Sequence, residues 1–96
     1  MYTATEMAQS LQRTGRLSEE DSIMVEESHA TDGMLCAWQV LFSKLPKEYQ
    51  LRAESFVRVS MVHAEIQDIP DSFEDWESLS PYQQLLFSIG LSYYLS

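Results

Sequence analysis

From Pro81 to Ser96 the chain carries no charged residue, and Leu85, Leu86, Phe87, Ile89, Leu91, Tyr93, Tyr94 and Leu95 crowd it from its fifth residue onward. So much apolar side chain must be buried against something. Read as a helix, the segment places Ser80, Gln84, Ser88, Ser92 and Ser96 on one i+4 row, a narrow neutral polar stripe with apolar or aromatic residues nearly all round. Ser80, Pro81 and Gln83 supply N-cap, N1 proline and N3 glutamine in succession, the clearest helix start in the chain. This is a central core helix or a partner-facing one. Its obvious mate is Met34 to Phe42, the second uncharged and nearly all-round apolar stretch.

The remaining helices are announced by their caps. Thr3 and Glu6 form a capping box, with Tyr2 and Met7 where a hydrophobic staple would stand, so a helix is expected from Ala4 to Arg13, ended by a left-handed Gly15. Its apolar face of Ala4, Met7, Ala8 and Leu11 has one large aliphatic residue, which predicts a peripheral position. Ser18 caps a second helix with Glu19, Glu20 and Asp21 in its first turn. Ile23, Ala30, Met34, Trp38, Leu41 and Leu45 keep a helical register through the turn signal Asp32-Gly33. Two helices, 19–31 and 34–44, are expected, or one kinked rod.

Pro46 restarts the chain as a first helical residue, and the next helix should reach Gln67. Tyr49, Ala53, Phe56, Val59, His63 and Ile66 trace its apolar stripe, widened by Val57, Met61 and Ala64. Asp68 to Asp71 is a turn, after which Ser72 and Asp75 cap a short helical piece carrying Phe73 and Trp76. The fold class is all-α, a compact bundle of four to five helices, with the segments around Trp38, Phe56 and Leu86 forming its core. Met1, Met7, Met24, Met34 and Met61 read as core filler.

Ninety-six residues make one domain, 1–96, burying about 65% of its unfolded surface, so oligomerisation would be a natural supplement. The single cysteine, Cys36, excludes an internal disulfide and points to a reducing, cytoplasmic setting. Residues 1–6 lack the basic and apolar regions of a signal peptide, and the C-terminal apolar run is too short and too serine-interrupted to span a bilayer.

Chemistry-bearing motifs are sparse. His63-Ala64-Glu65 has the H-x-E form of zinc deaminases but lacks their P-C-x-x-C, so His63 reads as a core-edge histidine and His29 as solvent-facing. Cys36 in an apolar helix reads as an inert buried thiol. Neither a G-x-S-x-G nor a phosphate-binding glycine loop occurs. No enzyme, cofactor or metal is expected. Leu45 to Gln50 opens a helix as some helix-turn-helix modules do, but the second helix lacks the Arg, Lys, Gln and Asn that contact DNA, and the last has no Arg, Lys or Asn and only Gln83 and Gln84 at its start.

Charge is the most informative feature. Fifteen acids against six bases give a net charge of −9, which disfavours nucleic acid and anionic membranes as direct partners and favours a basic protein. Glu19, Glu20, Asp21, Glu26, Glu27 and Asp32 form one block; Glu65, Asp68, Asp71, Glu74, Asp75 and Glu77 form another, and neither contains a Lys or Arg. These patches would dock onto a basic groove of a nucleic-acid-binding protein, mimicking phosphates. Solubility and helix capping are the plainer account of the same acids. Trp76, amid acids, reads as an interface anchor or as a ring folded onto the core, and Tyr93 and Tyr94 as the end of the last helix that reaches a partner. The expected function is therefore a non-enzymatic, inhibitory interaction protein. Small, acidic, single-domain proteins of this kind are common among the inhibitors that phages and mobile elements carry, anti-CRISPR and anti-restriction proteins included. The alternative is a homo-oligomeric regulatory or assembly subunit, a homodimer through the C-terminal helix.

Overall fold

The computed structural model describes residues 2–96. Met1, one of the expected core methionines, lies outside them. Five helices, α1 (Ala4–Arg13), α2 (Glu19–Asp32), α3 (Met34–Lys44), α4 (Lys47–His63) and α5 (Pro81–Leu95), form an all-α bundle, with a 3-10 turn at Trp76–Ser78 and no strand among the described residues. The caps set most boundaries. At α1, Thr3 Oγ1 accepts from Glu6 N at 3.1 Å while Thr3 N donates to Glu6 Oε1 at 3.0 Å, and at α5 Ser80 and Gln83 do the same at 3.1 and 3.0 Å. Ser18 Oγ accepts from Asp21 N to open α2. Gly15, with φ 77°, closes α1, its N–H reaching Gln12 O while Arg16 N reaches Leu11 O.

Residues 19–44 are two helices, because Gly33 adopts φ 98° and ψ 177° between them. Pro46 stands just outside α4 as its N-cap, with an extended ψ of 145°, so the helix begins one residue later than expected. Its end also differs. Instead of continuing to Gln67, α4 closes at His63, where Ile66 N donates to Met61 O and Glu65 N to Val62 O. That is the closure used at Gly15, here with a glutamate in the left-handed position at φ 59°.

Phe87 is the hub of the core. Phe42 meets its ring edge-on at 5.1 Å, Phe73 lies tilted at 5.2 Å, and Trp76 stands edge-on at 5.6 Å. Trp38, Leu41, Val25, Val57, Met61 and Leu91 are buried around it. All three segments expected to form the core contribute to it, Trp38 with its own side chain, whereas Leu86 is half-buried and Phe56 remains 41% exposed. The true centres are their neighbours, Val57 and Phe87. Accordingly α4 buries the i+4 row Ala53, Val57 and Met61, and leaves Val59 and His63 of the expected stripe in solvent. Aliphatic residues surround this helix on nearly every side, so its partner decides the face, and α5 offers Gly90 to Val57.

Met7 and Met61 do fill the core, but Met24 and Met34 are exposed. Tyr2 is also exposed, leaving the expected staple with Met7 open on one side. Contrary to the expected periphery, α1 packs against α2, α3 and α5 with all four of its apolar-face residues buried. Between α4 and α5, residues 64–79 cross the core with little regular structure. The short helical piece expected here is a three-residue 3-10 helix, Trp76–Ser78, with Asp75 at its N-cap position but no side-chain cap; Ser72 Oγ accepts from Glu74 N, and Phe73 lies before the helix, buried in a bend. Side chains fasten this crossing: Gln83 Nε2 donates to Asp68 O, Gln84 Nε2 to Trp76 O, and Arg58 to the carbonyls of Pro70 and Asp71 at 2.6 and 2.9 Å.

Candidate functional site

Helix α2 is built with its polarity turned inside out. It buries Ser22, Val25 and Ser28, and it leaves Ile23 and Met24 each 44% exposed. Ile23, Ala30 and Met34, expected on one core register with Trp38, Leu41 and Leu45, are all exposed, because the turn at Gly33 breaks that register. The serine side of α2 packs against α1 and α3, where small residues allow close approach. The Oγ of Ser28 is buried there without a hydrogen-bond partner among the described residues.

The outer side combines Ile23 and Met24 with exposed Glu19, Glu20, Glu26 and Glu27, and Asp21 and Asp32 flank it. None of these six carboxylates pairs with a cation among the described residues, where every ion pair involves α4. The helix dipole favours Glu19, Glu20 and Asp21 in the first turn, but it opposes Asp32 at the last position and gives Glu26 and Glu27 no help. Capping therefore accounts for three acids of the block and not for the other three. Beside them, Met24, Glu27, Thr31, Asp32 and Val40 line a shallow groove of about 310 Å³ between α2 and α3.

The second acidic block is different. Glu65, Asp68, Asp71, Glu74, Asp75 and Glu77 are all exposed, but the fold pairs one of them with a cation and lays an arginine along their backbone. Lys47 Nζ lies 3.1 Å from Glu74 Oε1, and the Arg58 guanidinium holds the Asp71 carbonyl while covering the Phe73 ring at 5.2 Å. Burial beside Arg58 pushes the Glu54 carboxyl above its ordinary value, and the arginine charge offsets this only in part. Trp76 is half-buried, its ring against Phe87.

At the end of α5, Tyr93 is 68% exposed, whereas Tyr94 is half-buried, tilted against Phe56 at 5.7 Å. Phe56 and Ser60 of α4, Ala64 just after it, and Leu86, Ile89 and Tyr93 of α5 bound an apolar groove of about 240 Å³. The groups weighed for catalysis are scattered. Cys36 is half-buried rather than buried, His63 is exposed rather than at the core edge, and half-buried His29 sits with Nδ1 3.4 Å from Thr5 Oγ1. Among the described residues no group of three His, Cys, Asp or Glu could hold a metal ion, and no helix is long and apolar enough to cross a membrane.

Sequence reading placed Glu19, Glu20, Glu26 and Glu27 in a docking patch but missed Ile23 and Met24, which share their face. The signal was present in Ser22 and Ser28, which flank Val25 three residues away on either side and mark a face too small for ordinary apolar packing. Comparison with known proteins finds no family model, no curated protein and no solved structure that matches this chain.

Proposed function

We propose that this chain is a non-enzymatic interaction protein that docks the outer face of α2 onto a basic surface of a partner protein and inhibits the partner by covering that surface. One observation carries the reading: α2 buries serines and keeps Ile23 and Met24 in water among carboxylates that pair with no cation among the described residues. Apolar anchors inside a charged rim are the anatomy of a protein interface, with the anchors supplying affinity and the rim supplying orientation and on-rate. A helix serving only solubility would carry its apolar residues inward.

A nucleic-acid-binding protein is the partner class that fits best, since its phosphate-binding groove presents the positive charge that Glu19, Glu20, Glu26 and Glu27 would meet. Inhibition by occupation follows from that competition, in the manner of phage-borne anti-CRISPR and anti-restriction proteins. The acids of the 64–79 crossing, of which Glu74 is paired with Lys47, are assigned a secondary contact at Glu65, Asp68, Asp71, Asp75 and Glu77. Affinity capture from the native host's lysate at graded salt, comparing the wild-type chain with variants of the α2 face, tests the proposal.

A further inference from the structure

The outer side of α5 is apolar in a protein whose charge is otherwise high. Tyr82, Leu85, Leu86, Ile89 and Tyr93 recur there at helical spacing, opposite the buried Phe87 and Leu91. No charge stands on α5, and of the outward charges of α4, Glu48 and Arg52 pair with each other at 2.7 Å and Lys47 pairs with Glu74 at 3.1 Å. Taking about 200 Å² for an aromatic side chain, Tyr82, Tyr93, Phe56 and Leu85 alone leave about 400 Å² in water. That is half of the roughly 800 Å² each partner buries in a standard interface, and near the size at which an exposed apolar patch marks an interaction site.

We infer that this face joins two copies of the chain in an isologous dimer, with Tyr93 of each copy seated in the groove between α4 and α5 of the other. A second copy is the occupant that the charge selects. Each chain carries −9, so two copies can meet closely only where neither presents a carboxylate, and the groove bounded by Phe56, Ser60, Ala64, Leu86, Ile89 and Tyr93 is such a place. A basic partner finds no counter-charge on it. A two-fold interface must also be self-complementary, and one face here holds both a projecting side chain, Tyr93, and a recess of about 240 Å³ beside it. The dimer is independent of what α2 binds, and it would present two α2 faces to a partner at once.

Sedimentation equilibrium of the full chain at 1 to about 100 µM tests it, with circular dichroism verifying helix content. The wild type is expected at twice the monomer mass, holding or tightening as salt screens the two net charges. Tyr93→Lys removes the projecting ring and Ser60→Arg fills the recess; both positions are exposed, so each variant is expected to keep its helix content and sediment as a monomer. A wild-type monomer throughout the range would overturn the inference. So would a dimer that persists in both variants, or one abolished by Ile23→Ser with Met24→Ser instead. Failure of the α2 proposal would leave these masses unchanged, so the two readings fail separately.

Discussion

A methyl group built on Gly90 would stand 3.0 Å from Val57 Cγ2, so α4 and α5 meet through the one glycine of α5. Val57 has no exposed surface and is β-branched, hence stiff at χ1, and it has little room to yield. Alanine would improve helix propensity by about 1 kcal/mol, but overpacking at such a contact costs about 1–3 kcal/mol. Gly90→Ala is therefore expected to lower stability by about 1 kcal/mol in urea denaturation. Val57→Ala should cost about 2 kcal/mol, and the double variant less than the sum, because the new methyl occupies the space the valine leaves. A stabilising Gly90→Ala would show that the helices do not meet as described.

Arg58 ties the 64–79 crossing to α4 through the carbonyls of Pro70 and Asp71 and through the Phe73 ring. Its side chain is about one-third exposed, so Arg58→Ala should cost about 2 kcal/mol, less than two fully buried charge-assisted bonds would. Native-state hydrogen exchange should report the loss as faster exchange at residues 66–79, with α1 to α3 less affected. Arg58→Lys keeps the charge but not the planar fork, so its stability is expected between the two. Lysine equal to wild type would reduce Arg58 to a point charge.

Glu54 gives the stability curve a predictable slope. Burial raises its folded pKa above 4.5, so the folded state holds the proton more tightly than the unfolded chain. A raised carboxyl contributes its stability in full below the unfolded value and loses it as pH rises through the folded one. Glu54→Gln removes that titration. The melting temperature of the variant minus that of the wild type should therefore grow between about pH 4 and pH 7. A difference that is flat or shrinks over the same interval would contradict the burial of this carboxylate.

Helix starts were legible in the chain because their causes are local. Thr3 with Glu6, Ser18 with Asp21, and Ser80 with Gln83 each close within three residues, and all three act as their spacing implies. The end of α4 was not legible, since Glu65 takes a backbone conformation that favours glycine. Nor were the buried faces of α2 and α4. Both helices carry apolar residues on several sides, and the choice among them depends on distant neighbours: Gly90 selects Val57, and the turn at Gly33 frees Ile23 and Met34 from the core. The acidic blocks looked alike in sequence for the same reason. Lys47 reaches Glu74, and Arg58 reaches Asp71, only after the crossing folds back over α4.

The α2 face can be tested with its fold left intact, because Ile23 and Met24 contribute little to the core and Glu26 and Glu27 pair with no cation among the described residues. Ile23→Ser with Met24→Ser, and separately Glu26→Gln with Glu27→Gln, should shift stability by no more than about 0.5 kcal/mol, as surface substitutions do. The most direct measurement is quantitative affinity capture from the native host's lysate at about 50 and 500 mM salt with these two variants and the wild type. The wild type is expected to retain a nucleic-acid-binding protein that high salt weakens and added DNA or RNA displaces, and both variants are expected to lose it while melting like the wild type. Retention of the same protein by all three chains, at either salt, would contradict the assignment of α2 as the docking surface.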